Sequence, residues 1–99
     1  FKERRNFVVK SLNRMKGISC LTPNGAFYVF PSCKELLNKK TKLKKDTDFV
    51  QKLLEKANVA VVQGSAFGLE GYFRISYATS MKNLKKAMER IKSFCESLN

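Results

Sequence analysis

The most informative feature of this 99-residue sequence is what it has little of: it contains no histidine, no tryptophan, two prolines and eight acidic residues. Without histidine, the chain cannot by itself form a His-based catalytic triad or an imidazole metal site. No apolar run approaches the ~20 residues that a transmembrane helix needs. The three cysteines, Cys20, Cys33 and Cys95, are an odd number at wide spacing, which indicates reduced core thiols instead of a disulfide framework or zinc site.

Basic residues are abundant by contrast, since 20 lysines and arginines give a formal net charge of +12. Most are lysine, so the bidentate arginines that read bases are few. The densest group lies in residues 38–45: Lys39, Lys40, Lys42, Lys44 and Lys45. This charge has two interpretations, a solvated lysine-rich surface or a site that releases counterions from a nucleic acid. We favour the solvated surface and keep a small basic nucleic-acid-binding module as the alternative.

Apolar spacing, turn residues and capping residues predict helices and strands in the order helix, strand, strand, helix, helix, strand, strand, helix. Helices are expected over residues 1–15, 33–37, 46–58 and 80–98, and strands over residues 18–21, 26–30, 59–62 and 72–78. Asp46 or Thr47 is expected to cap the third helix, and Thr79 or Ser80 the last one. Since every residue in 26–30 is apolar, we expect that strand to lie in the interior of a sheet. The order predicts an α+β fold, with a small mixed or antiparallel sheet of three or four strands covered by helices on one face, and long first and last helices.

The beginning of the sequence indicates a piece of a longer protein. The chain starts with Phe1 and not Met, and the helical pattern already runs through residues 1–5 without a preceding N-cap residue. A chain of this size buries about two-thirds of its unfolded surface, which suffices for a single domain over residues 1–99. No basic-then-apolar leader is present, so we expect a cytoplasmic location.

Arg74 is the residue that departs most from a packing pattern. Strand alternation divides its segment into two faces, with Tyr72, Arg74 and Ser76 on one and Phe73, Ile75 and Tyr77 on the other. A guanidinium among apolar strand residues is costly unless it is paired. From the residues alone, we interpret Arg74 as an edge-strand arginine that reaches solvent or pairs with Glu70 or a helix carboxylate.

Residues 63–71 contain three glycines, Gly64, Gly68 and Gly71, between two predicted strands. Such glycines permit unusual backbone angles and the close approach of a ligand. The segment lacks the Gly-Lys-Ser/Thr ending of a phosphate-binding loop and leads into a strand instead of a helix. Taken by itself, it is therefore interpreted as a hairpin connection.

Three motifs in sequence order add a resemblance to this picture. Residues 23–31 read Pro-Asn-Gly-Ala-Phe-Tyr-Val-Phe-Pro, residues 59–68 read Val-Ala-Val-Val-Gln-Gly-Ser-Ala-Phe-Gly, and residues 71–78 read Gly-Tyr-Phe-Arg-Ile-Ser-Tyr-Ala. In this order and spacing, they resemble the C-terminal small domain of fold-type I, pyridoxal-phosphate-dependent aminotransferases, closest to the aspartate aminotransferase family. The resemblance runs nearly end to end, and residues 1–15 resemble the helix that leads into that domain.

The resemblance implies a specific role for Arg74, which matches the arginine that binds the substrate α-carboxylate. A planar guanidinium can make two charge-assisted hydrogen bonds to a carboxylate and so fixes its orientation as well as its affinity. Phe67 would border the substrate, and residues 63–71 would move when the small domain closes.

The resemblance also implies what lies outside this chain. The Schiff-base lysine, the aspartate facing the pyridine nitrogen and the phosphate-binding groups belong to the family's large domain, and no lysine here matches the lysine motif. We therefore expect no catalytic, cofactor-binding or metal residue in this chain. Alone it should bind no pyridoxal phosphate and be inactive, whereas the full-length enzyme would act on amino acids and 2-oxo acids as a homodimer. A non-transaminating relative, such as a lyase or synthase, is a further alternative.

Overall fold

The computed structural model describes residues 2–23 and 27–98. They form three α-helices, α1 (Lys2–Asn13), α2 (Asp46–Ala57) and α3 (Met81–Leu98), and three short strands, β1 (Tyr28–Val29), β2 (Val62–Gln63) and β3 (Phe73–Ser76). Two 3₁₀ helices, Lys34–Leu36 and Gly64–Phe67, follow β1 and β2 respectively. The predicted α+β class and the long first and last helices are confirmed.

The three strands form one antiparallel sheet in the order β1-β3-β2. In the register, Tyr28 lies opposite Ser76, and Val62 lies opposite Arg74. The expectation that residues 26–30 form an interior strand is wrong for the described residues, because β3 takes the central position and β1 lies at an edge. Residues 24–26 lie outside the described part. The strand predicted over residues 18–21 is only an isolated bridge between Ser19 and Ser32.

The core lies between one face of the sheet and the helices. On β3 and just after it, Phe73, Ile75 and Tyr77 alternate with more exposed residues and are themselves buried, as predicted. The ring centroid of Phe49 in α2 lies 5.0 Å from that of Phe73 and 5.6 Å from that of Phe94 in α3. The opposite face of β3, which carries Arg74, is left open by the helices.

The helix ends follow the predicted capping residues only in part. Asn58 takes the left-handed conformation and ends α2, and the Ser80 hydroxyl accepts a hydrogen bond from the Asn83 N–H, 3.1 Å, at the start of α3. The N-cap of α2 is Lys45 instead of Asp46 or Thr47. Asp48 accepts hydrogen bonds from the Lys44 and Lys45 N–H groups, and these bonds lower the pKa of its carboxyl.

All three cysteines are free and buried, which confirms the prediction of reduced core thiols. Burial raises the pKa of the Cys33 and Cys95 thiols to about 12 and that of Cys20 to about 11. Among residues 2–23 and 27–98, no cluster of cysteines and carboxylates is arranged to hold a metal ion. Within the same residues, no helix has the length and hydropathy that crossing a membrane requires.

Candidate functional site

Arg74 occupies the middle of the central strand and projects from the face of the sheet that the helices do not cover. Its guanidinium carbon lies 4.3 Å from the ring centroid of Tyr28 and 4.8 Å from that of Phe67. Tyr28 belongs to β1, and Phe67 follows β2, so the two rings reach the guanidinium from the two flanks of β3. Both distances are within the ~6 Å over which a ring face attracts a cation.

The guanidinium of Arg74 has no carboxylate partner in the described part of the chain. The ion pair between Lys52 and Glu55, at 3.7 Å, does not involve Arg74. The interpretation of Arg74 as an edge-strand residue is wrong, because β3 is the central strand. Its proposed pairing with Glu70 or a helix carboxylate is not found within the described residues. Because the Arg74 N–H groups meet no carboxylate within these residues, they are available as donors to an anion from outside them.

Phe67 is held in place by the backbone of the 3₁₀ helix to which it belongs. The Gly64 N–H donates to the Tyr72 carbonyl at 2.7 Å, and the Gly64 carbonyl accepts from the Leu69 N–H at 2.8 Å. A Cβ atom on Gly64 would lie 2.7 Å from the Tyr72 carbonyl oxygen and closer still to that of Leu69. Gly64 is thus required because two backbone carbonyls lie close to it. The close approach of a ligand to this segment stays a prediction.

A second anchor ties the same 3₁₀ helix to α2. The Asp46 carboxylate, only 3% exposed, accepts a hydrogen bond from the Ser65 N–H at 2.8 Å. Asp46 was predicted as a helix cap, and the structure gives it this longer-range role instead. The segment that carries Phe67 is therefore fixed both to β3 and to α2.

Arg74, Tyr28 and Phe67 form what we call the Arg74 cluster. Further aromatic side chains surround it. The Phe30 ring packs edge-on against Phe67, with 5.9 Å between the centroids, and the Lys34 ammonium lies 4.8 Å from the Tyr72 ring centroid. Tyr28, Phe30 and Tyr72 also line an open groove of about 610 Å³, bordered by residues 19–23. The sequence patterns indicate Arg74 and Phe67 as site residues but give Tyr28 and Phe30 no role, because only the register of β1 against β3 places these two beside Arg74.

This arrangement is suited to binding a planar anion. The aromatic rings contact the cation without occupying its N–H donors, and a carboxylate can accept two of those donors in parallel. A larger groove, about 860 Å³, lies between the ends of α2 and α3, but it shares no residue with the Arg74 cluster and its cationic side chains, Lys52, Lys56 and Arg90, are exposed. The Arg74 cluster is the better-formed site.

Comparison with known proteins identifies the type of domain to which this fold and open face belong. The family model for aminotransferase class I and II matches residues 1–91. The aspartate aminotransferase of Rhizobium meliloti (strain 1021) is 52% identical over an alignment that covers 100% of this chain and 25% of that protein. A probable aspartate/prephenate aminotransferase of Rhizobium leguminosarum bv. phaseoli is 54% identical over an alignment that covers 96% of this chain and 25% of that protein.

Solved structures agree with the sequence comparison. The crystal structure of the Rhizobium meliloti aspartate aminotransferase matches with a TM-score of 0.92 and 52% identity, over 96% of this chain and 25% of that one. The alanine aminotransferase of Pyrococcus furiosus matches with a TM-score of 0.88 and 38% identity, over 97% of this chain and 24% of that one. The fold is that of an aminotransferase domain. This chain belongs to the aminotransferase class I and II family and spans about a quarter of the length of these relatives.

Proposed function

We propose that this chain is the C-terminal small domain of a pyridoxal-phosphate-dependent amino-acid aminotransferase of the aspartate aminotransferase type, in which Arg74 binds the substrate α-carboxylate. One observation carries the proposal: the Arg74 guanidinium lies against two aromatic rings and meets no carboxylate within residues 2–23 and 27–98. The 52% identity to an aspartate aminotransferase over all of this chain supports the substrate class.

In this function, Arg74 orients the substrate as well as attracting it. Two parallel N–H···O bonds fix the plane of the carboxylate and thereby the direction of the bonds at the neighbouring α-carbon. Phe67, whose ring contacts the guanidinium and is 47% exposed, borders the same space and can contact the substrate. Its position beside Arg74 supports the expectation that it belongs to the substrate site.

The residues of this chain do not form a cofactor site by themselves. All fifteen lysines are exposed, whereas a lysine that bonds to a carbonyl cofactor at neutral pH needs a desolvated or otherwise activated amine. Pyridoxal phosphate, when bound, supplies the electron sink for chemistry at the α-carbon. We therefore assign its lysine and phosphate ligands to the large domain of the complete protein.

Two alternatives remain for the complete protein. Membership of the aminotransferase family counts against a small basic nucleic-acid-binding module. A lyase or synthase of the same fold would use the same carboxylate-binding arginine, but the relatives compared above carry aminotransferase names. We accordingly favour an aminotransferase that is cytoplasmic and homodimeric, as the family resemblance implies, with amino acids and 2-oxo acids as substrates.

Amino-group exchange by the complete protein tests this proposal. Purified with its cofactor, the complete protein should transfer the amino group of aspartate to 2-oxoglutarate, measured as the oxaloacetate formed. The 99-residue chain alone should show no exchange and no saturable cofactor absorbance. Elimination or condensation without amino transfer by the complete protein would contradict the proposal, as would a stoichiometric, borohydride-trappable cofactor on a lysine of this chain.

A further inference from the structure

We propose that Tyr28 is a positioning residue for Arg74: its ring holds the guanidinium in place while leaving the N–H donors free for the substrate carboxylate. This inference rests on the proposed function and extends it to a residue that lies inside the first motif but to which the resemblance assigns no role. It concerns how the carboxylate-binding group is held, and it assigns no contact between Tyr28 and the reacting atoms.

The register of the sheet is what brings Tyr28 to Arg74. Tyr28 lies opposite Ser76, and Arg74 is two residues before Ser76 on the same face of β3. Such diagonal neighbours across two antiparallel strands are within reach when one side chain is aromatic and the other long. The result is a distance of 4.3 Å from the guanidinium carbon to the Tyr28 ring centroid, shorter than the 4.8 Å to Phe67.

The ring of Tyr28, and not its hydroxyl, makes this contact. Within the described residues, the Tyr28 hydroxyl has no hydrogen-bond partner. Tyr28 as a residue is 39% exposed. The ring therefore acts as a flat, neutral surface against which a cation can lie. Removing the hydroxyl should cost little, whereas removing the ring should release the guanidinium.

A ring is better suited to this task than a carboxylate would be. A neighbouring Asp or Glu would hold Arg74 by accepting the same N–H donors that the substrate requires, and it would have to be displaced on binding. A ring face attracts the cation without accepting in-plane hydrogen bonds. With Tyr28 on one flank and Phe67 on the other, Arg74 is kept from swinging into solvent, so less side-chain entropy is lost when the carboxylate binds.

The test compares three variants of the complete enzyme: Tyr28→Leu, Tyr28→Phe and, as a matched control, Phe27→Leu. Phe27 is a neighbouring exposed aromatic residue whose ring packs 6.5 Å from that of Tyr77. The readouts are KM and kcat for aspartate, and the Kd of 2-methylaspartate measured by calorimetry. The methyl compound has the same carboxylates but lacks the α-hydrogen that amino transfer must remove, so its Kd reports binding without amino transfer.

For Tyr28→Leu, we expect KM and Kd to rise about 3- to 30-fold, the range that loss of a partly desolvated cation–π contact corresponds to. The kcat value should change by less than about threefold, because a contact made equally in the ground state and the transition state affects binding and not the chemical step. Tyr28→Phe and Phe27→Leu should each leave KM and Kd within about twofold of the parent enzyme, since both variants keep an aromatic ring at position 28.

A double-mutant cycle with Arg74→Leu separates this inference from the proposed function. If Tyr28 acts through Arg74, the Tyr28→Leu change should have no further effect on Kd once Arg74 is leucine. The positioning role would be overturned if the effects of Tyr28→Leu and Arg74→Leu on Kd were additive. It would also be overturned if Tyr28→Leu and Tyr28→Phe weakened binding equally, or if Tyr28→Leu left Kd unchanged. The proposed function fails separately, if Arg74→Leu itself leaves carboxylate binding intact. Should Tyr28→Leu not fold, Tyr28→Val also removes the ring, with a β-branched side chain suited to a strand, and is measured in the same cycle.

Discussion

Replacing Arg74 by leucine in the complete enzyme is the most direct test of the substrate site. Leucine is a shorter, apolar side chain, so the change removes the charge, the hydrogen-bond donors and the contacts of the guanidinium with the Tyr28 and Phe67 rings. Because Arg74 projects from the open face of β3, the buried face formed by Phe73 and Ile75 is not altered. The substitution therefore separates carboxylate binding from packing.

The magnitude follows from the loss of one partner of a hydrogen-bonded charge pair. Truncating such a partner costs about 2–5 kcal/mol when the pair is desolvated. At ~1.4 kcal/mol per factor of ten, this is a roughly thirty- to several-thousand-fold loss in kcat/KM. Since Arg74 is only partly buried within this domain, we expect the lower half of that range. Arg74→Lys should recover only part of the loss, because an ammonium keeps the charge but not the planar fork.

The assay compares amino acids with amines that lack an α-carboxylate. Amino acids should lose activity as calculated, whereas the low activity towards simple amines should be nearly unchanged, since these have nothing for Arg74 to bind. Arg90→Leu, which removes the same charge from an exposed position on α3, is the matched control and should have little effect. Equal losses with amino acids and amines, or a loss explained by unfolding, would refute the role assigned to Arg74.

Two further predictions concern the segment that carries Phe67 and the surface charge. Gly64→Ala should lower the midpoint of thermal unfolding more than Gly68→Ala does. At Gly64 the added Cβ meets two backbone carbonyls, whereas at Gly68 it meets nothing within 4 Å and alanine bears only the strain of the left-handed φ of +77°. Equal shifts would contradict the close packing at Gly64. DNA or RNA binding should be weak, indifferent to sequence and lost at physiological salt in a filter-binding assay. Sub-micromolar binding at that salt, abolished by neutralising the lysines of residues 38–45, would favour the nucleic-acid alternative instead.

Local patterns in the sequence were sufficient to predict the three α-helices and the two faces of β3. A period of two separates Arg74 from the buried Phe73 and Ile75, and a helical period places Leu84, Met88 and Ile91 in the core. The turn at Asn58 and the cap at Ser80 are likewise local, because each depends on the backbone within a few residues. These features could be predicted because neighbouring residues alone determine them.

The partners of Arg74 could not be predicted in this way, because they depend on which strands pair and in which register. Apolar composition favoured an interior position for the segment around Tyr28, yet β3 is central because it pairs with both β1 and β2. That order brings Tyr28 and Phe67 to the guanidinium, while Glu70, four residues away in sequence, forms no ion pair with it. The sequence alone thus determined that Arg74 faces away from the core, and long-range strand pairing decided that it lies against aromatic rings with its hydrogen-bond donors open to a ligand.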